Sequence, residues 1–256
     1  MLRNRLRQLA DPRRTAAFIA LALVVGFLAG LAGAGLIAAI DLVSRGTEKL
    51  ELLSGLGQWL VLATVPIGLY LAWLLARRYP EVRGSGVPET TAALAVRAGY
   101  LPTRSVGLKI LATALTLGGG GSAGREGPTV MVGAAIGSSI GRHTGLGEDQ
   151  VRSLVAAGAG AGIGATFNAP IAGMLFAMEV ILGNFAIRHL NAVVIASVTA
   201  AVTTRTLVGE ERILSAVPHE VGDPRELLLY AALGVAAAGF GFLFLKAFDG
   251  AHGPIP

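Results

Sequence analysis

Polar and apolar positions fall into long blocks rather than a short alternation. A charge-free run from Thr15 to Ile40 follows a segment with five arginines (Arg3, Arg5, Arg7, Arg13, Arg14) and one acid, Asp11. A second charge-free run, Leu52 to Ala76, ends at Arg77 and Arg78 with Arg83 close behind. The connection between the runs mixes Asp41, Arg45, Glu48, Lys49 and Glu51. Apolar runs of ~20 residues or more can cross a bilayer as helices, and flanking arginines fix the side on which they stay. The pattern predicts a cytoplasmic N-terminal segment at 1–14, two spanning helices and an outside loop between them. The first run is too long for the apolar core of a signal peptide, and no persuasive cleavage site follows it.

Beyond Arg83 the blocks shorten. Ile110 to Gly124 and Gly127 to Gly141 are uncharged runs worth only ~22 Å of helix each at ~1.5 Å per residue, less than a hydrocarbon core of ~30 Å. Leu154 to Met178 is longer, but Asn168, Ala169 and Pro170 interrupt it, and proline suits the first turn of a new helix. Two helices meeting inside the membrane are expected there. Further helices are predicted at about 189–207 and 226–247, joined by a polar linker with Glu210, Glu211, Arg212, Pro218, Asp223 and Pro224. This totals eight or nine helices in an all-α membrane protein. Broken helix ends are tolerated in a membrane only where they line a cavity or an ion path.

Composition agrees. Of 256 residues, 53% are hydrophobic, 14% are charged and 36 are Gly, about twice the usual glycine share and half the usual charge. Disorder, a coiled coil and a disulfide scaffold are disfavoured. The net charge of +5 sits at the flanks of apolar runs, which points to the bilayer and away from nucleic acid. Small-xxx-small pairs (Gly26 with Gly30, Gly133 with Gly137, and the series Gly158, Gly160, Gly162, Gly164) suit close helix packing.

Two glycine-rich turns carry candidate chemistry. Gly84-Ser85-Gly86-Val87-Pro88-Glu89 places Pro88 in the first turn of a helix. The free N–H groups of such a start amount to roughly half a positive charge, which suits an anion; Ser85 either adds a donor to it or merely caps the helix. Gly118 to Pro128 turns through glycines, presents Arg125 beside Glu126 and restarts as a helix. Charges there cost about 2.5–3.5 kcal/mol each against lipid and should face a cavity or a partner. Glu126 could occupy an anion's place when ionised and vacate it when protonated, with Arg125 drawing anions near; the alternative is a structural ion pair.

Two soluble-enzyme patterns fail. Gly120-Gly121-Ser122-Ala123-Gly124 fits G-x-S-x-G but lacks the preceding strand, and a phosphate loop begun at Gly119 runs into Arg125-Glu126 where a hydroxyl is required. His143, His189, His219 and His252 lack metal-ligand spacing and read as surface or interfacial. No metal is expected.

In order and spacing, Gly84-Ser85-Gly86-Val87-Pro88, Gly124-Arg125-Glu126-Gly127-Pro128 and Phe167-Asn168-Ala169-Pro170-Ile171-Ala172-Gly173 resemble the CLC family of chloride channels and chloride/proton antiporters, from about residue 15 to 247. The resemblance implies a bundle of tilted, partly broken helices in two inverted halves. It also implies a homodimer in a bacterial-type inner or plasma membrane, chloride as the transported partner and no cofactor. Ser85 takes the place of the central anion-coordinating serine and Glu126 that of the gating glutamate. The backbone of Gly86, Val87 and Gly127 belongs to the same region, whereas Pro128 has no N–H to donate.

Two departures from the family stand out. The antiporter branch carries a proton-transferring Glu directly after the position of Glu179, and this chain has Val180. A valine cannot carry a proton, so channel-like or uncoupled flux is favoured, with Glu179 a weaker substitute. The G-x-F-x-P motif and late Tyr that complete the family's site are not visible; Gly183-Asn184-Phe185-Ala186-Ile187 matches only by coincidence. The expectation is therefore a truncated, partial CLC-type transmembrane domain at 15–256, the first inverted repeat plus about one helix, serving chloride transport. The rivals are a non-transporting membrane assembly fragment and a proton-coupled chloride or fluoride antiporter, fluoride being disfavoured by Ser85.

Overall fold

The computed structural model describes residues 12–54, 57–209 and 225–252. Packing divides the chain into two units, residues 1–213 and 214–256.

In the first unit, α1 (Pro12–Ser54), α2 (Val61–Arg78), α3 (Val87–Val96), α4 (Ser105–Gly118), α5 (Glu126–His143), α6 (Glu148–Phe167), α7 (Pro170–Phe176) and α8 (Ile187–Val208) follow one another. Short 3-10 turns stand at Gly57–Leu60 and Pro80–Val82, and a π-helical turn at Ala177–Ile181. The second unit holds α9 (Glu226–His252). The described residues contain nine α-helices and no strand. Thr15–Leu53, Ile187–Val208 and Glu226–Gly250 are long and apolar enough to cross a membrane. The linker residues 210–224, His219 and residues 1–11 of the basic segment lie outside the described residues.

The first two runs are drawn differently from the charge pattern. Helix α1 has 43 residues and continues through Asp41–Glu51, the stretch expected to be a loop. Leu42, Arg45, Glu48, Lys49 and Leu50 are good helix formers, and Asp41 with Arg45 is a favourable i, i+4 pair. Charge there ends the apolar segment without ending the helix. The run Leu52–Ala76 is not one helix either, being shared between the end of α1 and α2.

Helix α6 is the centre of the unit, buried nearly throughout from Val151 to Thr166. Residues two apart on a helix point to nearly opposite sides, so its four glycines serve two faces. A methyl group added at Gly158 or Gly162 would run into the backbone of Gly133 or Thr129 on α5. One added at Gly160 or Gly164 would crowd Gly173 of α7 or Ser197 of α8. Gly26 and Gly30 press α1 onto Ala196 and Ala200 of α8 in the same way, and Thr204 donates to the Gly30 carbonyl at 2.9 Å. On the far side of α1, Leu23, Phe27 and Leu31 form an exposed apolar stripe suited to hydrocarbon.

The expected break is present. Asn168 ends α6 in the left-handed conformation at φ 50°, a helix-ending role asparagine tolerates, and Pro170 opens α7. His189 departs from the surface reading and is fully buried. Arg188 Nε donates to its Nε2 at 3.1 Å, so the proton sits on Nδ1 and is given to Ser153 Oγ at 2.6 Å. Ser153 in turn donates to the Asp149 carbonyl, which ties the start of α8 to the start of α6. A polar group in a core is stable when so satisfied.

The glycine contacts predict a contrast between two substitutions. Gly133→Ala forces a methyl into the Gly158 carbonyl and should lower stability by about 1–3 kcal/mol. Gly35 has open space around it, and Gly35→Ala should be neutral or stabilising by up to ~1 kcal/mol. Reversible unfolding in mixed micelles measures both, and equal stabilities would refute the packing account.

Candidate functional site

The Ser85 turn is built around two glycines that only glycine suits. Gly84 and Gly86 have φ of 74° and 115°, in the region that a Cβ disfavours. The turn is held from two sides. The Gly86 N–H donates to Glu89 Oε2 at 2.6 Å, and the same carboxylate lies against Gly84. Lys109 Nζ, from α4, donates to the carbonyls of Val82 at 2.9 Å and Gly84 at 2.7 Å. Its side chain is buried, and two carbonyl acceptors offset much of the cost of burying an ammonium.

Ser85 does not cap this helix. Glu89, three residues after the N-cap Gly86, performs the capping. Among the described residues, the Ser85 hydroxyl has no partner and is exposed to the cavity described below.

The second turn meets the first directly. A side chain at Gly86 would strike the Gly127 carbonyl, and one at Gly127 would strike the Ser85 carbonyl. The N-termini of α3 and α5 therefore abut. Glu126 and Gly127 lie in the first turn of α5, where their N–H groups have no intrahelical acceptor. The Glu126 carboxylate folds back over Gly124. No ion pair joins it to Arg125 among the described residues. Thr129 donates to the Glu126 carbonyl at 2.8 Å, and Thr166, two residues before Asn168, reaches Thr129 at 3.1 Å. Hydrogen bonds thus tie the second turn to the residue that leads into the third motif, and close backbone approach ties the first turn to the second.

A cavity of about 520 Å³ opens where the turns meet. Ser85, Glu126 and Gly127 line it, as do Arg83, Lys109, Thr113 and Thr116. Gly86 is buried behind this wall with its N–H taken by Glu89, and neither it nor Val87 lines the cavity. Arg125 does not line it either; the cationic side chains there are Arg83 and Lys109. Glu179 and Val180 sit elsewhere, on the π-helical turn after α7, both exposed. The described residues hold no cluster suited to a metal.

Sequence reasoning missed Lys109, Glu89 and Arg83. The signal for Lys109 is present in the sequence: a lone lysine at the edge of an apolar run inside a membrane marks a functional position. Glu89 at N3 of a helix was legible as half of a capping box.

The sequence model of one family, described as voltage gated chloride channel, matches residues 67–253. The chain is 34% identical over 232 residues to the H(+)/Cl(-) exchange transporter ClcA of Vibrio cholerae, covering 88% of this chain and 50% of that protein. It is 32% identical over 251 residues to ClcA of Yersinia pestis, covering 93% and 52%. Among solved structures, a slow cyanobacterial Cl−/H+ antiporter superposes with a TM-score of 0.75 and 26% identity, over 90% of this chain and 56% of that one. A CLC-type fluoride/proton antiporter follows at 0.70 and 27%, over 86% and 54%. The chain spans about half the length of the curated relatives it matches.

The two-sided clamp on the Ser85 turn makes a local prediction. Lys109→Met leaves the Val82 and Gly84 carbonyls without their charged donor, a loss of about 2–4 kcal/mol. Amide hydrogen exchange should quicken at Gly86 while the α6 core keeps its protection; unchanged exchange at Gly86 would show that the lysine does not hold the turn.

Proposed function

Because this chain belongs to the voltage gated chloride channel family, we propose that it forms part of a CLC-type chloride pathway in a membrane, with the cavity between α3, α4 and α5 as its anion site. The observation that carries this reading is the unpartnered Ser85 hydroxyl, facing the same cavity as the Glu126 carboxylate where two helix N-termini meet. Chloride is held by the Ser85 hydroxyl and by the first-turn amides of α5, Glu126 and Gly127, which point positive partial charge at it. Glu126 competes for the same place. Ionised, its carboxylate covers the amides at Gly124; protonated or swung away, it leaves them to the anion. Gly86 and Val87 support the site from behind through the helix start they form, and Arg125 acts on it only at a distance.

The curated relatives are named exchangers of H+ and Cl−. In this chain Val180 stands where the resemblance places the second, proton-carrying glutamate, so the reading is chloride movement without that proton route. Glu179, one residue earlier and exposed on the π-helical turn, is the remaining carboxylate there. A bilayer setting with the N-terminus cytoplasmic belongs to the same reading, supported by Arg77 and Arg78 at the end of α2. So does a homodimer in a bacterial-type inner membrane. The exposed apolar side chains Ile171 and Leu175 on α7, and Val198 and Val202 on α8, would suit a partner subunit or lipid.

Calorimetric titration of the purified chain with chloride tests the site. Ser85→Ala should weaken binding about 3- to 10-fold through loss of one donor. Glu126→Gln removes the tethered competitor and should strengthen binding by a similar factor. An affinity that Glu126→Gln leaves unchanged would defeat the gating role. Chloride efflux from liposomes containing this chain then separates transport from assembly: selective efflux abolished by Ser85→Ala supports a pathway, and no efflux despite intact binding supports the assembly reading.

A further inference from the structure

Four arginines crowd the end of α2 and the turns beside it, and two of them have no task in the fold or at the cavity. Arg104 is ion-paired with Glu81, and Arg83 gives its Nε to the Ala76 carbonyl. Arg77 and Arg78 are exposed, have no ion-pair or hydrogen-bond partner among the described residues and do not line the cavity. Both are nevertheless held in place. The Arg77 guanidinium lies over the Trp73 ring, 5.2 Å from its centroid, and Trp73 is stacked on Tyr70 at 5.7 Å. The Arg78 guanidinium lies over Tyr79, also at 5.2 Å. Stacking occupies the face of a guanidinium and leaves the N–H groups at its edge free to donate.

The surface leading up to these donors is apolar. Tyr70, Trp73, Leu74, Arg77 and Arg78 fall at i, i+3, i+4, i+7 and i+8 on α2, which is one helix face. Its apolar members are about half exposed, and the two arginines continue the stripe beyond them. Aromatic rings and cations closing an apolar helix mark the headgroup level of a bilayer. The unpaired charge indicates which headgroup. Guanidiniums bind a phosphate through paired N–H donors, and the ammonium of a zwitterionic headgroup would be brought against the second arginine. A headgroup of net negative charge avoids that repulsion. Orientation in the membrane asks only for positive charge, which lysines supply equally; ring-held planar forks suit a bound phosphate.

We propose that the end of α2 is a binding site for an anionic phospholipid, its phosphate held by the Arg77 and Arg78 guanidiniums and an acyl chain lying along Leu74, Trp73 and Tyr70. It rests on the bilayer setting proposed above and not on the anion site. Trp73 is shared with the cavity wall, which places the lipid beside the cavity. Arg104 and Glu81 neutralise each other nearby, so the attraction is concentrated on the two arginines of the helix end.

The test uses the full chain with Trp59→Phe, which leaves Trp73 as its sole tryptophan, reconstituted in phosphatidylcholine vesicles. Phospholipid brominated in its acyl chains quenches a tryptophan that it touches, so quenching by brominated phosphatidylglycerol is compared with quenching by brominated phosphatidylcholine. A preference of about 10-fold for phosphatidylglycerol is expected at low salt, falling as salt is raised. Arg77→Gln and Arg78→Gln should each cut it about 3- to 5-fold. The double variant Arg77→Lys, Arg78→Lys keeps the charge and should restore only part of it. Equal quenching by the two lipids, or a preference unchanged in both glutamine variants, overturns the site. A lysine pair that keeps the whole preference shows attraction by charge alone and overturns it too. Recovery of fluorescence on adding millimolar glycerol 3-phosphate makes the ligand a free phosphate ester and rules out the lipid. A Trp73 that neither lipid quenches is covered by protein instead, and the lipid occupant falls. Flotation of the chain with the vesicles tests the bilayer setting by itself: a chain that floats yet shows no preference loses the lipid site and keeps its membrane.

Discussion

Everything at the site depends on a contact between two backbones, Gly86 with Gly127 and Gly127 with Ser85. Any side chain at either glycine would separate the turns by the width of a methyl group or more, and with them the first turns of α3 and α5. Abutting helix N-termini are electrostatically awkward, since each brings roughly half a positive charge toward the other. The chain compensates with carboxylates from its own sequence: Glu89 on the Gly86 amide and Glu126 over Gly124. The contact therefore explains why acids occur in an apolar region and why they stand within a turn of a helix start.

The same device, glycine used to bring backbones together, organises the scaffold. Helix α6 presents Gly158 and Gly162 to α5 and Gly160 and Gly164 to α7 and α8, so it is packed closely on opposite sides. A helix in lipid gains little from burying apolar surface, because the tails are as apolar as leucine; association rests on close packing and on hydrogen bonds. The buried hydroxyls follow this logic. Ser153 with His189, Thr204 with Gly30, and Thr166 with Thr129 each join two helices, and the last pair links the Asn168 break to the turn bearing Glu126.

The sequence was most legible where composition and backbone constraint coincide. Broken helices, the restart at Pro170, the small-residue pairs and the two glycine turns all announce themselves, because proline and glycine act locally and need no partner to be interpreted. The loop expected at 41–51 failed for the complementary reason. Charge density marks where a helix leaves hydrocarbon, and helix propensity rather than charge decides where it ends. The roles of Lys109 and His189 could not be read in full because each depends on residues far along the chain, Lys109 on Val82 and Gly84 and His189 on Ser153. Arg125 was the visible cation of the motif; the cavity is lined instead by two cations outside it.

That exchange of cations bears on how the site is balanced. Lys109 is committed to two carbonyls and Arg83 to one, so the lysine chiefly holds the turn while the arginine keeps donors to spare. Counting both cations, the two helix starts and the carboxylates of Glu89 and Glu126, the neighbourhood retains roughly one unit of positive charge. A positive excess of that kind favours an anion over a cation in the cavity. Val180 has no part in this balance, because the π-helical turn that carries it contributes nothing to the cavity wall.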